Sequence, residues 1–398
     1  MDRQQALETL SAPGMPLEMG NTEVYGRNRR IYKNAPTSLR ELFSQTLSNE
    51  TFLVFEEERY SFNETWALAS AIGSGLVEDY GIEKGDRIAI CMRNFPEWII
   101  AFQAITSVGA IAVALNSLCQ TEELVYGITD SGCKLLIADQ ERSNLVADVG
   151  LSCHILLVRG DAKSTHSRWA ELVEHHRNAE MPKVAIESLD DVLILYTSGS
   201  TGRPKGVVSS NLAVISALLS WEMSLQIWMM LVDEPLTPPT AQPAGLAAVP
   251  LFHTTGCHAV FLSAFRSQTK LVLVRKWDPI TAARLIQKEQ ISSFIAPSTM
   301  TGDLVFHAKQ NGDNLSSLRS VGGGGAARAP EQVKSIDNAF INAIPNTGWG
   351  MTETNAIGTA IAGELYLDRP SSSGFPAAVL DIRIADEDGY ALQTGERG

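Results

Sequence analysis

Val192-Leu-Ile-Leu-Tyr-Thr-Ser-Gly-Ser-Thr-Gly-Arg-Pro-Lys-Gly-Val-Val208 is the stretch on which the reading of this chain turns. Val192 to Tyr196 form a short, continuous apolar run of the kind a buried strand carries. The next ten positions are Thr197, Ser198, Gly199, Ser200, Thr201, Gly202, Arg203, Pro204, Lys205 and Gly206. The glycines let the backbone turn sharply and come close to a ligand. The hydroxyls and exposed N–H groups suit phosphate oxygens. Lys205 adds a mobile point charge, and Pro204 stiffens the approach to it. A Walker A loop would place a hydroxyl residue directly after the lysine and then a helix. Here Gly206 follows Lys205, and Val207-Val208 resume an extended pattern. The expected local structure is a strand, a phosphate-gripping hairpin loop and a second strand. The competing reading is an ordinary Ser/Gly-rich hairpin turn.

The chain has 398 residues, enough for two or three domains, and 44 % of them are hydrophobic. Mean hydropathy is near zero, as in soluble globular proteins. Thirty-two basic against 45 acidic residues leave a net charge of −13, which argues against a nucleic-acid partner. Cys91, Cys119, Cys133, Cys153 and Cys257 are odd in number and form no CxxC pair, as expected of reduced thiols in a cytoplasmic protein. The opening MDRQQALETL has neither the basic nor the apolar region of a signal peptide.

Residues 1–37 read as irregular and surface-wrapping. Ser38 with Glu41 suggests a capping box on a helix to Leu47, and Thr51 to Phe62 suggests a hairpin. Asn63 is the expected cap of a helix whose apolar stripe is Leu68, Ile72 and Leu76. From Gly85, strands at Arg87–Cys91, Ala110–Leu115, Lys134–Ala138 and His154–Val158 alternate with helices at Pro96–Val108 and Glu122–Thr129. That alternation predicts an α/β fold with a mostly parallel sheet covered on both faces, to which the Val192 strand would belong. Leu212 to Val232 is long and apolar enough to be weighed as a membrane span. Its Glu222, Gln226 and serines favour a buried helix. The four prolines between Asp233 and Gly245 exclude helix or central strand there. A second strand–helix series is expected at Ala247–Pro250, Lys270–Val274, Thr281–Glu289, Ser293–Ala296 and Leu318–Val321. Val379–Ala385 and the turn ending at Gly389 look like the start of a β-rich unit.

Three further motifs follow the first in order: Pro250-Leu-Phe-His-Thr-Thr-Gly256, Gly322-Gly-Gly-Gly-Ala-Ala327 and Asn346-Thr-Gly-Trp-Gly-Met-Thr-Glu-Thr354. Taken alone, His253 reads as a hydrogen-bonded core histidine, the glycine run as a flexible loop and Trp349 as core packing. In this order, together with YTSGSTGRPKGV, they resemble the adenylate-forming superfamily of acyl-CoA synthetases, aryl-CoA ligases, luciferases and peptide-synthetase adenylation domains. The resemblance runs from about residue 40 to the end.

It implies two βα-layered subdomains of that superfamily's N-terminal domain, roughly 60–205 and 206–355, with the N-terminal segment packing on the second. Residues 356–398 would open a β-rich subdomain. It implies ATP, Mg²⁺ and CoA as cofactors. By resemblance Thr197, Ser198, Gly199, Ser200, Thr201, Gly202 and Lys205 bind the β/γ-phosphates, and Gly324, Gly325 and Ala326 lie on the adenine side. Trp349 and Gly350 stand where the family usually has Tyr-Gly; an aromatic face there stacks on adenine, worth roughly 1–3 kcal/mol by analogy with base stacking. Thr352 would bond the α-phosphate, Glu353 would hold magnesium, a hard cation that prefers oxygen, and His253 would orient the acyl substrate. No role is given to His258. The chain departs from the family at Asn211, where a histidine is usual, and at Gly322 and Gly323, which suggest a less ordered loop. Glu396-Arg-Gly398 resembles a turn that precedes the family's later motifs, so the ribose-binding aspartate, the hinge and the C-terminal lid with its catalytic lysine are expected to be missing from a truncated N-terminal portion.

The activity implied is ATP-dependent activation of a hydrophobic carboxylic acid, fatty or aryl, to an acyl-adenylate, followed by thioester formation with CoA, as in fatty acid metabolism. An amino-acid substrate would call for a buried carboxylate, and none lies near the Pro250 motif in sequence. Two alternatives stay open: an adenylation domain that loads a carrier protein, and a nucleotide-binding fragment without full catalysis. Chain length of the acid and oligomeric state are not legible.

Overall fold

The computed structural model describes residues 1–161, 166–197, 202–232, 241–326 and 328–398. Among these, the strands form two large sheets and one small hairpin. The first large sheet runs, edge to edge, Lys205–Ser210, Asp191–Thr197, Ile111–Ala114, Arg87–Cys91, Leu135–Asp139, His154–Val158 and Ser167–Arg168. All its pairings are parallel except the hairpin between Asp191–Thr197 and Lys205–Ser210. Ile111–Ala114 and Leu135–Asp139 are buried at every position, as strands covered on both faces must be.

The second sheet runs Phe375–Pro376, Gly358–Ala362, Ile344–Gly350, Ser320–Gly322, Ser293–Ile295, Ala244–Ala247, Lys270–Leu273, Thr51–Phe55 and Glu58–Ser61. Its centre is parallel. The expected 51–62 hairpin therefore becomes its edge, through the pairing of Leu53 with Leu271 and Val54 with Val272.

Helix Pro96–Ser107 touches strands of both sheets, and every residue in it but Glu97 is buried. Its rings Trp98 and Phe102 meet Phe261 at 6.3 and 5.5 Å between centroids. Phe52, Phe62, Phe43 and Phe265 continue the cluster, with Phe52–Phe62 at 4.5 Å and Phe43–Phe265 at 4.9 Å. Three regions far apart in sequence, Phe43 to Phe62, Trp98 to Phe102 and Phe261 to Phe265, thus share one aromatic core. Two polar ties join the sheets. Arg159, just past strand His154–Val158, donates to both carboxylate oxygens of Glu58 at 2.8 and 2.7 Å and to Glu97 at 3.0 Å. The buried Asn94 donates to the carbonyls of Ala247 and Val249 at 3.3 and 2.9 Å and accepts from the Leu251 N–H at 3.1 Å.

Several sequence expectations are corrected. Residues 1–37 are not irregular. Asp2 and Gln5 form a capping box on helix Arg3–Leu10, which packs on helix Asn211–Leu231, and Met19–Val24 pairs with Arg27–Tyr32. Ser38 caps Leu39–Gln45 through the Glu41 N–H, but the Glu41 carboxylate takes the Thr37 N–H, so the box is half formed. Ser61, not Asn63, caps helix Phe62–Glu78, because Ser61 and Glu64 close a complete box two residues earlier. The strand expected at Ala247–Pro250 lies at Ala244–Ala247, inside the supposed proline loop, since the prolines end just before it. Residues 233–240 of that loop lie outside the described residues. Strand Lys205–Ser210 carries the first layer past residue 205, and Gly358–Ala362 extends the second sheet rather than opening a separate unit. Val379–Ala385 forms no strand; only Ala385 bridges to Ala391. Helix Asn211–Leu231 passes the length and hydropathy test for a membrane span. It buries Val214, Ile215, Leu218 and Leu219 against the core and leaves Leu225 and Met229 exposed, so it is half-buried rather than buried throughout. Asn211, where a histidine was expected, is buried and fully used: its Oδ1 accepts the Leu39 N–H at 2.9 Å.

Between Thr255 and Leu262 the chain is a π-helix, a form that clusters at functional positions. It carries His258, completely buried, whose Nε2 lies 3.1 Å from Asn355 Oδ1. Two predictions follow from this core. Phe261→Ala opens a cavity at the meeting point of the rings and should lower unfolding stability by about 3–5 kcal/mol in urea titration; a loss within experimental error would mean that the cluster is not a shared core. Burial lowers the His258 imidazole to about 4 from its ordinary 6.5. The unfolded chain then binds a proton there below about 6.5 while the folded chain does not, so stability falls as pH drops from about 6.5 towards 4, by up to about 3 kcal/mol. That slope should be missing from His258→Gln; parallel stability–pH curves for wild type and variant would refute the assignment.

Candidate nucleotide and acid site

The four motifs lie at or just beyond the C-terminal ends of strands: Asp191–Thr197, Ala244–Ala247, Ser320–Gly322 and Ile344–Gly350. That edge is where open α/β sheets bind ligands. In the first motif, Thr197 pairs with Lys205 and Tyr196 with Gly206, so the two flanking strands form an antiparallel pair. Thr197 Oγ1 donates to the Lys205 carbonyl at 3.4 Å. Gly202 has φ 96°, a conformation that L side chains rarely adopt. Ser198, Gly199, Ser200 and Thr201 lie outside the described residues. Tyr126, on helix Thr121–Ser131, buttresses the turn: its hydroxyl donates to the Pro204 carbonyl at 3.1 Å and its ring lies 5.6 Å beneath the Arg203 guanidinium. Lys205 is exposed and has no carboxylate partner among the described residues.

In the second motif the chain doubles back on itself. The His253 N–H reaches the Pro250 carbonyl at 3.2 Å and the Cys257 N–H reaches the His253 carbonyl at 2.8 Å. A Cβ at Gly256 would collide with the Pro250 carbonyl oxygen, so this reversal requires glycine. The His253 ring stands 4.4 Å from that of Phe252 and keeps an exposed edge. Packing around the rest of the ring pushes its pKa below the ordinary histidine value, which favours a neutral imidazole.

The glycine run packs on the fourth motif. The Gly323 carbonyl accepts from the Gly348 N–H and from Thr347 Oγ1, both at 3.1 Å. A side chain at Gly322 would strike Asn346, and one at Gly323 would strike the Ala296 carbonyl. The two glycines expected to loosen this loop are therefore demanded by close packing, and Gly322 belongs to a strand. Gly324 lies against the Gly348 carbonyl; Gly325 has φ 83°, and Ala326 is exposed. Trp349 is 49 % exposed and rests over Gly358, which leaves an aromatic surface open on strand Ile344–Gly350. Gly350 is approached closely by the Ala356 carbonyl.

Thr352 and Glu353 ride on a single 3₁₀ turn, Thr352–Thr354, that packs against strand Lys205–Ser210. Neither side chain has a hydrogen-bond or ion-pair partner among the described residues. Glu353 is exposed, a free hard-oxygen donor beside the lysine hairpin, and so fits magnesium. The fold thus brings the first, third and fourth motifs together directly, and joins the second to the fourth through His258 and Asn355.

Sequence reading missed Tyr126, Asn94, His258 and Asn355, because each acts through a contact distant in the chain. It missed Arg328 as well. This buried guanidinium donates one bond, to Thr301 Oγ1 at 3.3 Å, while its Nη1 has no partner among the described residues.

Residues 41–398 match the family described as AMP-binding enzyme. 4-Coumarate–CoA ligase 1 of Petroselinum crispum is 27 % identical over 348 residues, which cover 86 % of this chain and 62 % of that protein. Feruloyl-CoA synthase of Amycolatopsis sp is 29 % identical over 329 residues, 80 % of this chain and 60 % of that protein. The chain therefore spans about three-fifths of the length of these curated relatives. The crystal structure of the N-terminal domain of FACL13 from Mycobacterium tuberculosis superposes with a TM-score of 0.76 at 21 % identity, covering 90 % of this chain and 87 % of that one, which establishes a shared fold. With the motifs in order and the sheets in place, the chain belongs to the AMP-binding enzyme family, on the N-terminal-domain fold of the adenylate-forming enzymes.

Proposed function

We propose that this chain supplies the nucleotide and acid sites of an acid–thiol ligase that converts a hydrophobic carboxylic acid to its CoA thioester with ATP. The observation that carries the reading is the packing of the Thr352–Thr354 turn against the strand that begins at Lys205, which sets a free carboxylate and hydroxyl beside the phosphate hairpin. Thr197 and Lys205, with Ser198, Ser200 and Thr201 of the same loop, hold the β- and γ-phosphates. Gly324, Gly325 and Ala326 border the adenine, and Trp349 stacks on it. His253, neutral, orients the acid. Thr352 bonds the α-phosphate, and Glu353 holds magnesium, which when bound offsets the phosphate charge.

The carboxylate oxygen forms a bond to the α-phosphorus as the bond to the β-phosphate oxygen breaks and pyrophosphate leaves. A thiol sulfur then bonds to the acyl carbon, loses its proton, and AMP departs. The protein's part in such chemistry is positioning and charge neutralisation. The substrate class is read from two facts. The buried carboxylates among the described residues, Asp139 and Glu289, are already ion-paired with Arg142 and with Arg59 and Lys270, which leaves neither for a substrate ammonium. The relatives are named for 4-coumarate and ferulate, which favours an aryl over a fatty acid. A cytoplasmic setting, expected from the odd set of thiols, is part of the same reading.

Calorimetry with Mg-ATP checks the site. Wild type should bind, and Lys205→Ala and Glu353→Gln should each weaken binding by about tenfold or more, the loss of one charge-assisted interaction. Equal affinity in both variants would place the nucleotide elsewhere. A pyrophosphate-release screen on the whole protein should respond to aryl carboxylates; release driven by amino acids alone would overturn the substrate class.

A further inference from the structure

His258 and Asn355 lie 97 positions apart in the chain and meet in the core beneath the site. His258 is completely buried in the π-helical turn Thr255–Leu262, and Asn355 is 6 % exposed. An amide oxygen can only accept, so the imidazole proton sits on Nε2 and is donated to Asn355 Oδ1 across 3.1 Å. The other ring nitrogen, Nδ1, has no partner among the described residues, so the Asn355 bond is the imidazole's one polar anchor there.

Asn355 directly follows the turn that bears Thr352 and Glu353. Its backbone is left-handed, φ 52° and ψ 40°, and Ala356 is left-handed too, at φ 64°. Few non-glycine residues adopt this conformation, though asparagine tolerates it best. The reversal is closed by the Asn355 N–H to the Thr352 carbonyl at 3.0 Å and the Ala356 N–H to the Met351 carbonyl at 2.9 Å. Thr354 Oγ1 adds a bond to the Ile357 carbonyl at 2.5 Å. These are contacts within the turn. They shape it but do not tie it to the body of the protein, and the side chains of Thr352 and Glu353 make no such tie among the described residues. Among side-chain hydrogen bonds of the described residues, the one that anchors the turn to another element is that from His258.

We propose that His258 and Asn355 form a latch that fixes the Thr352–Glu353 turn to the π-helix behind the acid motif, making both positioning residues for the magnesium-bound nucleotide. The functional half rests on the nucleotide reading above. The latch also couples two substrates' sites, because the helix that starts two residues after His253 holds the turn that faces the α-phosphate.

The test has two arms. The first needs no ligand: amide hydrogen exchange over residues 351–357. In Asn355→Gly, which keeps the left-handed backbone but removes the amide, and in His258→Leu, exchange at 354–357 should accelerate by about tenfold, the scale of one lost hydrogen bond. His258→Gln, whose amide N–H can still reach Asn355, should restore protection. Unchanged exchange in Asn355→Gly overturns the latch, as does equal acceleration in His258→Leu and His258→Gln. The second arm is calorimetry of wild type and Asn355→Gly with ATP, in magnesium and in chelator. A positioning role predicts a loss of several-fold in Mg-ATP affinity and a smaller loss without the metal, both measured well below the melting temperature of the variant. Equal losses in both conditions, or none while wild type binds, overturn the positioning role. A wild-type chain that binds no Mg-ATP overturns the nucleotide reading itself, a failure the exchange arm distinguishes from failure of the latch.

Discussion

Helix Pro96–Ser107 is the constraint on which the rest of the molecule depends. Two sheets bury apolar faces, and this one helix touches strands of both. Its rings, with Phe261, Phe265, Phe52, Phe62 and Phe43, make a single core from segments that neither sheet could hold alone. Apolar packing is not directional, so it cannot by itself set the register between the sheets. The Arg159 fork onto Glu58 and the three bonds of Asn94 supply that direction. Each bond is either charge-assisted or buried, where hydrogen bonds are costly to break.

Fixing the sheets fixes the site. Parallel strands deliver their loops to one edge, and the four motifs leave their strands at that edge. Asn94 clamps Val249 and Leu251 just where the acid motif begins. The glycine run is pressed onto the Ile344–Gly350 strand by contacts that leave no room for side chains. The turn with Thr352 and Glu353 rests on the hairpin of Lys205. The side chains left without protein partners there among the described residues, Lys205, Thr352 and Glu353, are those suited to a polyphosphate and its cation, while the buried carboxylates Asp139 and Glu289 are ion-paired.

Much of the architecture was legible in the chain, and the reason is local. Arg87–Cys91 and His154–Val158 each carry an apolar run after an exposed polar first residue, and both strands fall at the expected positions. The hairpin around Lys205 follows from a strand, a dense turn and a second strand within twenty residues. Where two local signals competed, the reading slipped. Ser61 and Asn63 are both good caps, and only the reciprocal bond from Glu64 selects Ser61. The prolines before Ala244 hid a strand that survives because it starts past them and pairs on both sides.

The sequence by itself determined the family motifs, their order and the residue types that can meet a nucleotide, because those are properties of short contiguous segments. The tertiary structure alone decided which distant residues support them. Tyr126 under Pro204, Asn94 under Leu251 and His258 under Asn355 each act across 78, 157 and 97 positions respectively. No periodicity or spacing encodes such a contact. It exists only once the sheets, the buried helix and the π-helical turn have brought the partners within hydrogen-bonding distance, where a buried polar group must find a partner or remain costly.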